Sequence, residues 1–259
     1  MTVHVDAAGT GPALLMLHGI GGSADSFAEQ FRGIHGLRLI AWDAPGYARS
    51  ADPGDAPGAD GYVDAAAQVL TEHAGEGGAH VLGMSWGGTI AIGLALKYPH
   101  LVRSLMLGDS LVGSGVTAEK ADAMRARGAE LDELGAQRFA ERRARRLLAP
   151  GASEDAVATA AARMAESVRL PGYRWAAEAL AATDHTADLP RITAPTLVLC
   201  GDEDRVTGRD ASQILAGGIP DAVFVTVRGA GHLANQEQPE AFNAWIESFV
   251  QITERLMTR

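Results

Sequence analysis

The sequence predicts an α/β fold: a doubly wound, mostly parallel sheet with an inserted helical cap. Three observations carry this. Apolar runs such as Ala13-Leu14-Leu15-Met16-Leu17 show no polar alternation, as strands buried on both faces require. Segments with helical spacing alternate with those runs, the pattern of a parallel sheet. From Leu111 to Leu189 the alternation stops and an Ala/Arg/Glu-rich helical texture replaces it. The expected organisation is a core of residues 1–110 and 190–259, with a cap of residues 111–189.

Thr2 to Ala7 is a candidate first strand, and Gly9-Thr10-Gly11-Pro12 a turn. The Ala13–Leu17 run ends in a glycine-rich loop, His18-Gly19-Ile20-Gly21-Gly22-Ser23. Asp25 to Phe31 reads as a short helix and Leu37 to Trp42 as the next strand. Asp43 to Gly61 is rich in Pro, Gly and Asp and reads as a long loop. Tyr62 to His73 has helical spacing. His80-Val81-Leu82 starts another buried strand, and Thr89 to Tyr98 a helix. Leu101 to Leu107 is strand-like. Inside the cap, Pro150-Gly151 and Pro171-Gly172 break the helical run. Pro195 to Cys200 restores the strand pattern. Ala211 to Ala216 is helical, Ala222 to Val227 a strand and Pro239 to Thr253 a terminal helix.

The 259 residues carry 22 basic against 32 acidic side chains, a formal charge of −10. Such a chain repels phosphate backbones, which argues against nucleic acid as a partner. No apolar run reaches the length of a membrane span. Met1 to Asp6 has neither a basic region nor an apolar signal core, and the single Cys200 fits a reducing cytosol, so a cytoplasmic protein is expected. There is no CxxC or HExxH spacing, so neither a metal nor a cofactor is indicated. Cys200 ends an apolar strand and reads as a small buried hydrophobe. The expected partner is a small molecule, with the oligomeric state open.

Between the strand at His80–Leu82 and the helix at Thr89 lies Gly83-Met84-Ser85-Trp86-Gly87-Gly88. Strand, sharp turn, helix is the context in which G-x-S-x-G presents a serine above a sheet. The glycines permit close approach of strand and helix, and the helix N-terminus favours negative charge. Read alone, the hexapeptide is equally an ordinary glycine-rich turn. A serine hydroxyl needs an adjacent base that is oriented by a third group. Gly201-Asp202-Glu203-Asp204-Arg205 and Gly229-Ala230-Gly231-His232 each follow a strand, at the sheet edge where ligands bind. Asp202, Glu203 and Asp204 lie together past one strand and Asp109 just past another, so these are the candidate acids.

These stretches resemble the α/β-hydrolases over essentially the whole chain. Gly231-His232-Leu233-Ala234-Asn235-Gln236-Glu237-Gln238-Pro239 is similar to the corresponding stretch of 3-oxoadipate enol-lactonases and related small esterases. The resemblance implies Ser85 as nucleophile, His232 as base and Asp204, just before Arg205, as acid. It implies an oxyanion hole from the backbone N–H groups of Ile20 and Trp86. His18, Gly19, Tyr173, Trp175 and Leu233 are the candidate substrate-facing residues. His18 equally reads as a brace for its loop, and Tyr173 and Trp175 as anchors of the cap. The run Gln137 to Arg146 offers arginines for a substrate carboxylate or, equally, a solvated helix face of local ion pairs.

The implied activity is cofactor-free cleavage of an ester or lactone. The alternative is a meta-cleavage-type carbon–carbon hydrolase. That group usually has Gly-Pro-Gly in the first loop and Trp after the histidine, where this chain has Gly21-Gly22-Ser23 and Leu233. A dehalogenase or epoxide hydrolase would need Asp at position 85. A non-catalytic ligand receptor on the same fold is a third reading.

Overall fold

A computed structural model of the chain describes residues 2–75 and 77–257. Seven strands form one sheet: β1 (Val5–Ala8), β2 (Ala13–Leu17), β3 (Arg38–Trp42), β4 (Ala79–Met84), β5 (Val102–Gly108), β6 (Thr196–Gly201) and β7 (Val223–Val227). Their order is β1-β3-β2-β4-β5-β6-β7. β1 pairs antiparallel with β3, and every other neighbouring pair is parallel. The loops that follow β2 to β7 therefore all open at one edge.

The continuous apolar runs have the reason expected of them. β2, β4 and β6 are buried at every position. Alternate residues feed two cores, one on each face. Leu15, Leu17, Ile40, Trp42 and Val81 pack with Tyr62, Leu70 and Ile90. Leu14, Met16, Leu39 and Leu82 pack with Phe27, Phe242, Ile246 and Val250.

The helices are α1 (Ala28–Gly33), α2 (Gly58–Ala74), α3 (Trp86–Lys97), α4 (Ala118–Leu147), α5 (Glu154–Ser167), α6 (Gly172–Ala182), α7 (Gly208–Gly218), α8 (Ala234–Glu237) and α9 (Pro239–Met257). The segment read as an Asp25–Phe31 helix is a 3₁₀ turn, Ala24–Phe27, running into α1. α2 starts at Gly58, inside the stretch expected to be loop, because Pro57 at its N-cap already holds helical φ. No described helix is long and apolar enough to cross a membrane.

α4, α5 and α6 lie between β5 and β6. α4 is interrupted at Gly135, where φ is +71° and ψ is 163°. Thr117 and Ser153 cap α4 and α5 through their side chains. The segment is fastened to the loop after β3. Ser167 O accepts the Ala48 N–H, and Arg169 donates to Ser50 O and Asp52. A Cβ on Gly172 would stand 2.0 Å from Gly46 O, so only glycine allows this contact.

Candidate active site

β4 runs straight into α3, and Ser85 is the hinge between them. Its φ of +51° lies in the left-handed region, a strain of about 1–3 kcal/mol for a non-glycine residue. Local contacts hold it there. Ser85 N–H donates to Gly108 O at 2.8 Å, and Ser110 Oγ donates to Ser85 O at 2.8 Å. The turn is too tight for side chains at its flanks. A Cβ on Gly83 would meet Gly87 O at 2.3 Å, and one on Gly87 would meet Leu17 O at 2.0 Å.

His232 Nε2 lies 3.0 Å from Ser85 Oγ, and His232 Nδ1 lies 3.0 Å from Asp204 Oδ2. A carboxylate only accepts, so Nδ1 carries the proton and Nε2 is left to accept from the Ser85 hydroxyl. Asp204 is itself fixed by Val206 N–H at 2.7 Å and Thr207 Oγ1 at 2.6 Å. Burial works to lower the His232 pKa, but the hydrogen bond and charge of Asp204 outweigh it, and the net shift is upward. Burial works to raise the Asp204 pKa, and the His232 and Thr207 hydrogen bonds with the His232 charge hold it well below the carboxylate range. Such a chain can take a proton from Ser85 and stabilise the resulting imidazolium.

Asp109 also reaches the site but in another role. It is fully buried; Oδ1 accepts Gly201 N–H at 2.8 Å and Oδ2 accepts Ala234 N–H at 3.1 Å. One carboxyl thus ties the strand leading to Asp204 to the residue two beyond His232. Burial raises its pKa to about 7. The ligand atoms of Asp109, Cys200 and Asp204 fall within 4.8 Å of one another, a juxtaposition hidden by their separation in sequence. The Asp109 and Asp204 oxygens each accept at least one of the N–H and O–H donors just named. The Cys200 thiol donates to Gly201 O and is pushed up to about 12 by burial.

The backbone N–H groups of Ile20 and Trp86 donate to no partner among the described residues. Trp86 is the first residue of α3, where helical geometry leaves the N–H free. Its indole is 2% exposed and packs edge-on against Tyr62 at 4.9 Å between centroids. Below the Ile20 loop, His18 donates from Nδ1 to Gly19 O at 2.8 Å and accepts Ala44 N–H on Nε2 at 3.0 Å. Burial lowers its pKa to about 4, so it stays neutral and both bonds hold. His18 is therefore a brace; it is not part of the cavity wall, which corrects its candidacy as a substrate contact. Gly19 stays in the wall because it has no side chain; a Cβ there would sit 3.2 Å from Ser85 Cβ.

Ser85 and His232 open into a cavity of about 290 Å³, close to the lower end of ligand-pocket sizes. Ile20, Met84, Leu147, Met164 and Leu233 give it apolar walls, and α4, α5 and α6 all contribute to it. Tyr173 lines it. Trp175 does not: it is half-buried, two residues along α6, and so points away from the face that Tyr173 occupies.

A family profile described as alpha/beta hydrolase fold matches residues 12–239. The chain belongs to the α/β-hydrolase fold family. Among similar α/β-hydrolases, a 2-hydroxy-6-oxo-6-phenylhexa-2,4-dienoate hydrolase of Burkholderia cepacia is 31% identical, covering 93% of this chain and 88% of that one. A 3-oxoadipate enol-lactonase of Acinetobacter baylyi is 28% identical, covering 93% and 89%. Among solved structures, a thermophilic esterase from Thermogutta terrifontis superposes with a TM-score of 0.87 at 25% identity, covering 97% and 93%. Like them, this α/β-hydrolase is a hydrolase by fold and by relatives.

Sequence reasoning missed several residues that shape the site. Glu237 accepts Gly231 N–H and Ala149 N–H, both at 2.7 Å, and so fastens the His232 loop to the end of α4. Arg127 and Arg163 enter the cavity wall from α4 and α5, outside the arginine run that sequence singled out. Their only sequence signal is a place on an amphipathic helix, which does not distinguish cavity from solvent.

Proposed function

We propose that this hydrolase cleaves carboxylic esters or lactones through an acyl-enzyme on Ser85. The single observation that carries this is the hydrogen-bonded chain Ser85–His232–Asp204, at 3.0 Å for each link. His232 Nε2 takes the Ser85 proton while Oγ bonds to the substrate carbonyl carbon. The carbonyl oxygen becomes an oxyanion facing the N–H groups of Ile20 and Trp86. The C–O bond to the leaving group breaks as His232 returns the proton to it. In a lactone that alcohol stays tethered to the product. Water then gives a proton to His232 and attacks the acyl carbon, and Ser85 regains its proton as the acid departs. These steps ask for no cofactor. Asp204 is the acid of choice over Asp109, because Asp204 Oδ2 lies 3.0 Å from His232 Nδ1, whereas the Asp109 oxygens accept the backbone N–H groups of Gly201 and Ala234. The helices between β5 and β6 act as a lid that sets substrate choice, since they supply cavity wall above Ser85.

A carbon–carbon bond hydrolase is the second reading. The 31% identity to a relative named as a dienoate hydrolase favours it. Leu233 after His232, and Gly22 and Ser23 in the first loop, favour the ester reading. A panel of p-nitrophenyl esters, lactones and vinylogous 1,5-diketones, run on wild type and Ser85→Ala, separates the two. Turnover of esters or lactones that is lost in Ser85→Ala is the expected result. Preferred diketone cleavage selects the second reading, and wild-type rates in Ser85→Ala overturn both.

A further inference from the structure

The cavity's charge is out of keeping with the rest of the chain. Five arginines line it, Arg127, Arg142, Arg143, Arg146 and Arg163, against one carboxylate, Glu130. The whole chain has a formal charge of −10. A cationic recess in an anionic protein is an electrostatic statement about its ligand, because confined charges of one sign focus the local potential.

The five are not equivalent. Glu130 pairs with Arg143 and, at 3.6 Å, with Arg142. Arg146 is exposed, and among the described residues its guanidinium reaches only the Arg205 carbonyl. Arg127 and Arg163 are partly buried and have no carboxylate partner among the described residues. Arg163 donates one N–H to Gln236 Oε1 at 2.9 Å and keeps its others. Arg127 faces the Tyr173 hydroxyl, and burial disfavours its charge more than Tyr173 favours it. Arg143 Nε is buried with no acceptor. A partly desolvated cation without a counter-ion is costly unless something anionic arrives to pair with it.

We propose that the substrate of this hydrolase carries a free carboxylate, and that Arg127 and Arg163 hold it while Ser85 attacks an ester or lactone carbonyl elsewhere in the same molecule. This deepens, and rests on, the assignment of Ser85 as nucleophile. A guanidinium fork matches a carboxylate in plane and charge. The apolar remainder of the wall, Ile20, Met84, Leu147, Met164 and Leu233, suits a short hydrocarbon between the two groups and disfavours a doubly charged phosphate, which loses more hydration on entry.

The test compares 4-nitrophenyl hydrogen glutarate, which bears the carboxylate, with its neutral methyl ester, reading nitrophenolate release above the uncatalysed rate. Wild type should prefer the acid by at least about 10-fold in kcat/KM. Arg127→Gln and Arg163→Gln should each reduce that preference by about 10- to 100-fold, the worth of one charged hydrogen bond, chiefly through KM. Arg127→Lys should restore part of it. Arg174→Gln, an exposed arginine paired with Asp132 outside the cavity wall, should leave the preference unchanged. A wild-type preference of one or less, or a preference unchanged in both cavity variants, overturns the proposal. If neither ester turns over and a phosphonate reagent leaves Ser85 unlabelled, the hydrolase reading has failed instead. Glutarate binding, followed by tryptophan fluorescence, then tests the carboxylate site alone: binding lost in the double variant supports it, and no binding to wild type overturns it.

Discussion

Contact with His232 separates the roles of Asp109 and Asp204: Asp204 Oδ2 lies 3.0 Å from His232 Nδ1, and the Asp109 oxygens accept backbone N–H groups instead. Asp109 accepts Gly201 N–H and Ala234 N–H, one on each oxygen. An asparagine there can satisfy only one donor and turns its NH₂ on the other. Asp109→Asn should therefore destabilise the fold by about 1–3 kcal/mol, seen as a lower Tm, with a smaller loss of kcat than at Asp204. Asp204→Asn also leaves donors facing an NH₂ and should lower Tm as well, but it should in addition drop kcat by about 10⁴, the scale of a mis-set histidine tautomer. A larger kcat loss at Asp109 would exchange the two roles.

The pH profile belongs to the same residues. Neutral His232 is the competent base, so the rate rises with pH as the imidazolium deprotonates. The Asp204 hydrogen bond and charge set the His232 pKa above its ordinary 6.5. The midpoint of the acid limb in kcat/KM should accordingly lie above pH 6.5, and in Asp204→Asn it should move to lower pH. A limb at or below 6.5 in wild type would contradict the ion pair.

At the scale of elements, the elbow and the helices between β5 and β6 make separable predictions. Gly87 stands where a Cβ would come 2.0 Å from Leu17 O, a backbone atom that cannot swing aside. Gly87→Ala should yield little folded protein, and any that folds should have Ser85 displaced and inactive towards a phosphonate reagent. In α6, Tyr173 lines the cavity and Trp175 does not. Tyr173→Phe and Tyr173→Ala should change kcat/KM ratios between small and bulky acyl groups. Trp175→Ala should change stability and leave those ratios alone. Equal effects on the ratios would mean that α6 does not wall the substrate.

At the scale of the molecule, the sheet is the foundation on which the loops are placed. Leu15 is fully buried in the central strand β2, between β3 and β4. Leu15→Ala should cost about 2–5 kcal/mol in urea unfolding, with activity per folded molecule retained under native conditions. Activity lost in step with full retention of stability would put Leu15 in the site, where the fold gives it no place.

The sheet was legible because burial on both faces leaves a sequence trace: β2 is a continuous apolar run, and β4 and β6 are built around the apolar stretches Val81-Leu82 and Leu197-Val198-Leu199-Cys200. The Gly83–Gly88 turn was legible from its glycine spacing: the clash that excludes a side chain at Gly83 comes from backbone four to five residues on, while the one at Gly87 comes from Leu17 and His18 and shows only in the fold. That Ser85, Asp204 and His232 each lie past a strand end at one edge of a parallel sheet was legible, and the resemblance implied their roles. The start of α2, the 3₁₀ turn before α1 and the short α8 were not legible, because helix ends depend on what the termini pack against.

What only the tertiary structure decided is which side chains meet across long separations. The sequence left His18 between substrate contact and brace; its bonds to Gly19 O and to Ala44 N–H, the latter from the loop after β3, decide for brace. The sequence left Tyr173 and Trp175 equivalent; the rotation of α6 against the rest of the chain separates them. It pointed to the arginines of Gln137–Arg146, but Arg142 and Arg143 share the single carboxylate of Glu130 and Arg146 is exposed; the partly buried cavity arginines with no carboxylate partner among the described residues are Arg127, from an earlier turn of α4, and Arg163, from α5. Strand burial and tight turns are local consequences of residue type, so one chain's sequence determines them. Pairing, exposure and cavity lining depend on how helices are rotated against each other, and that is settled only when the whole chain has packed.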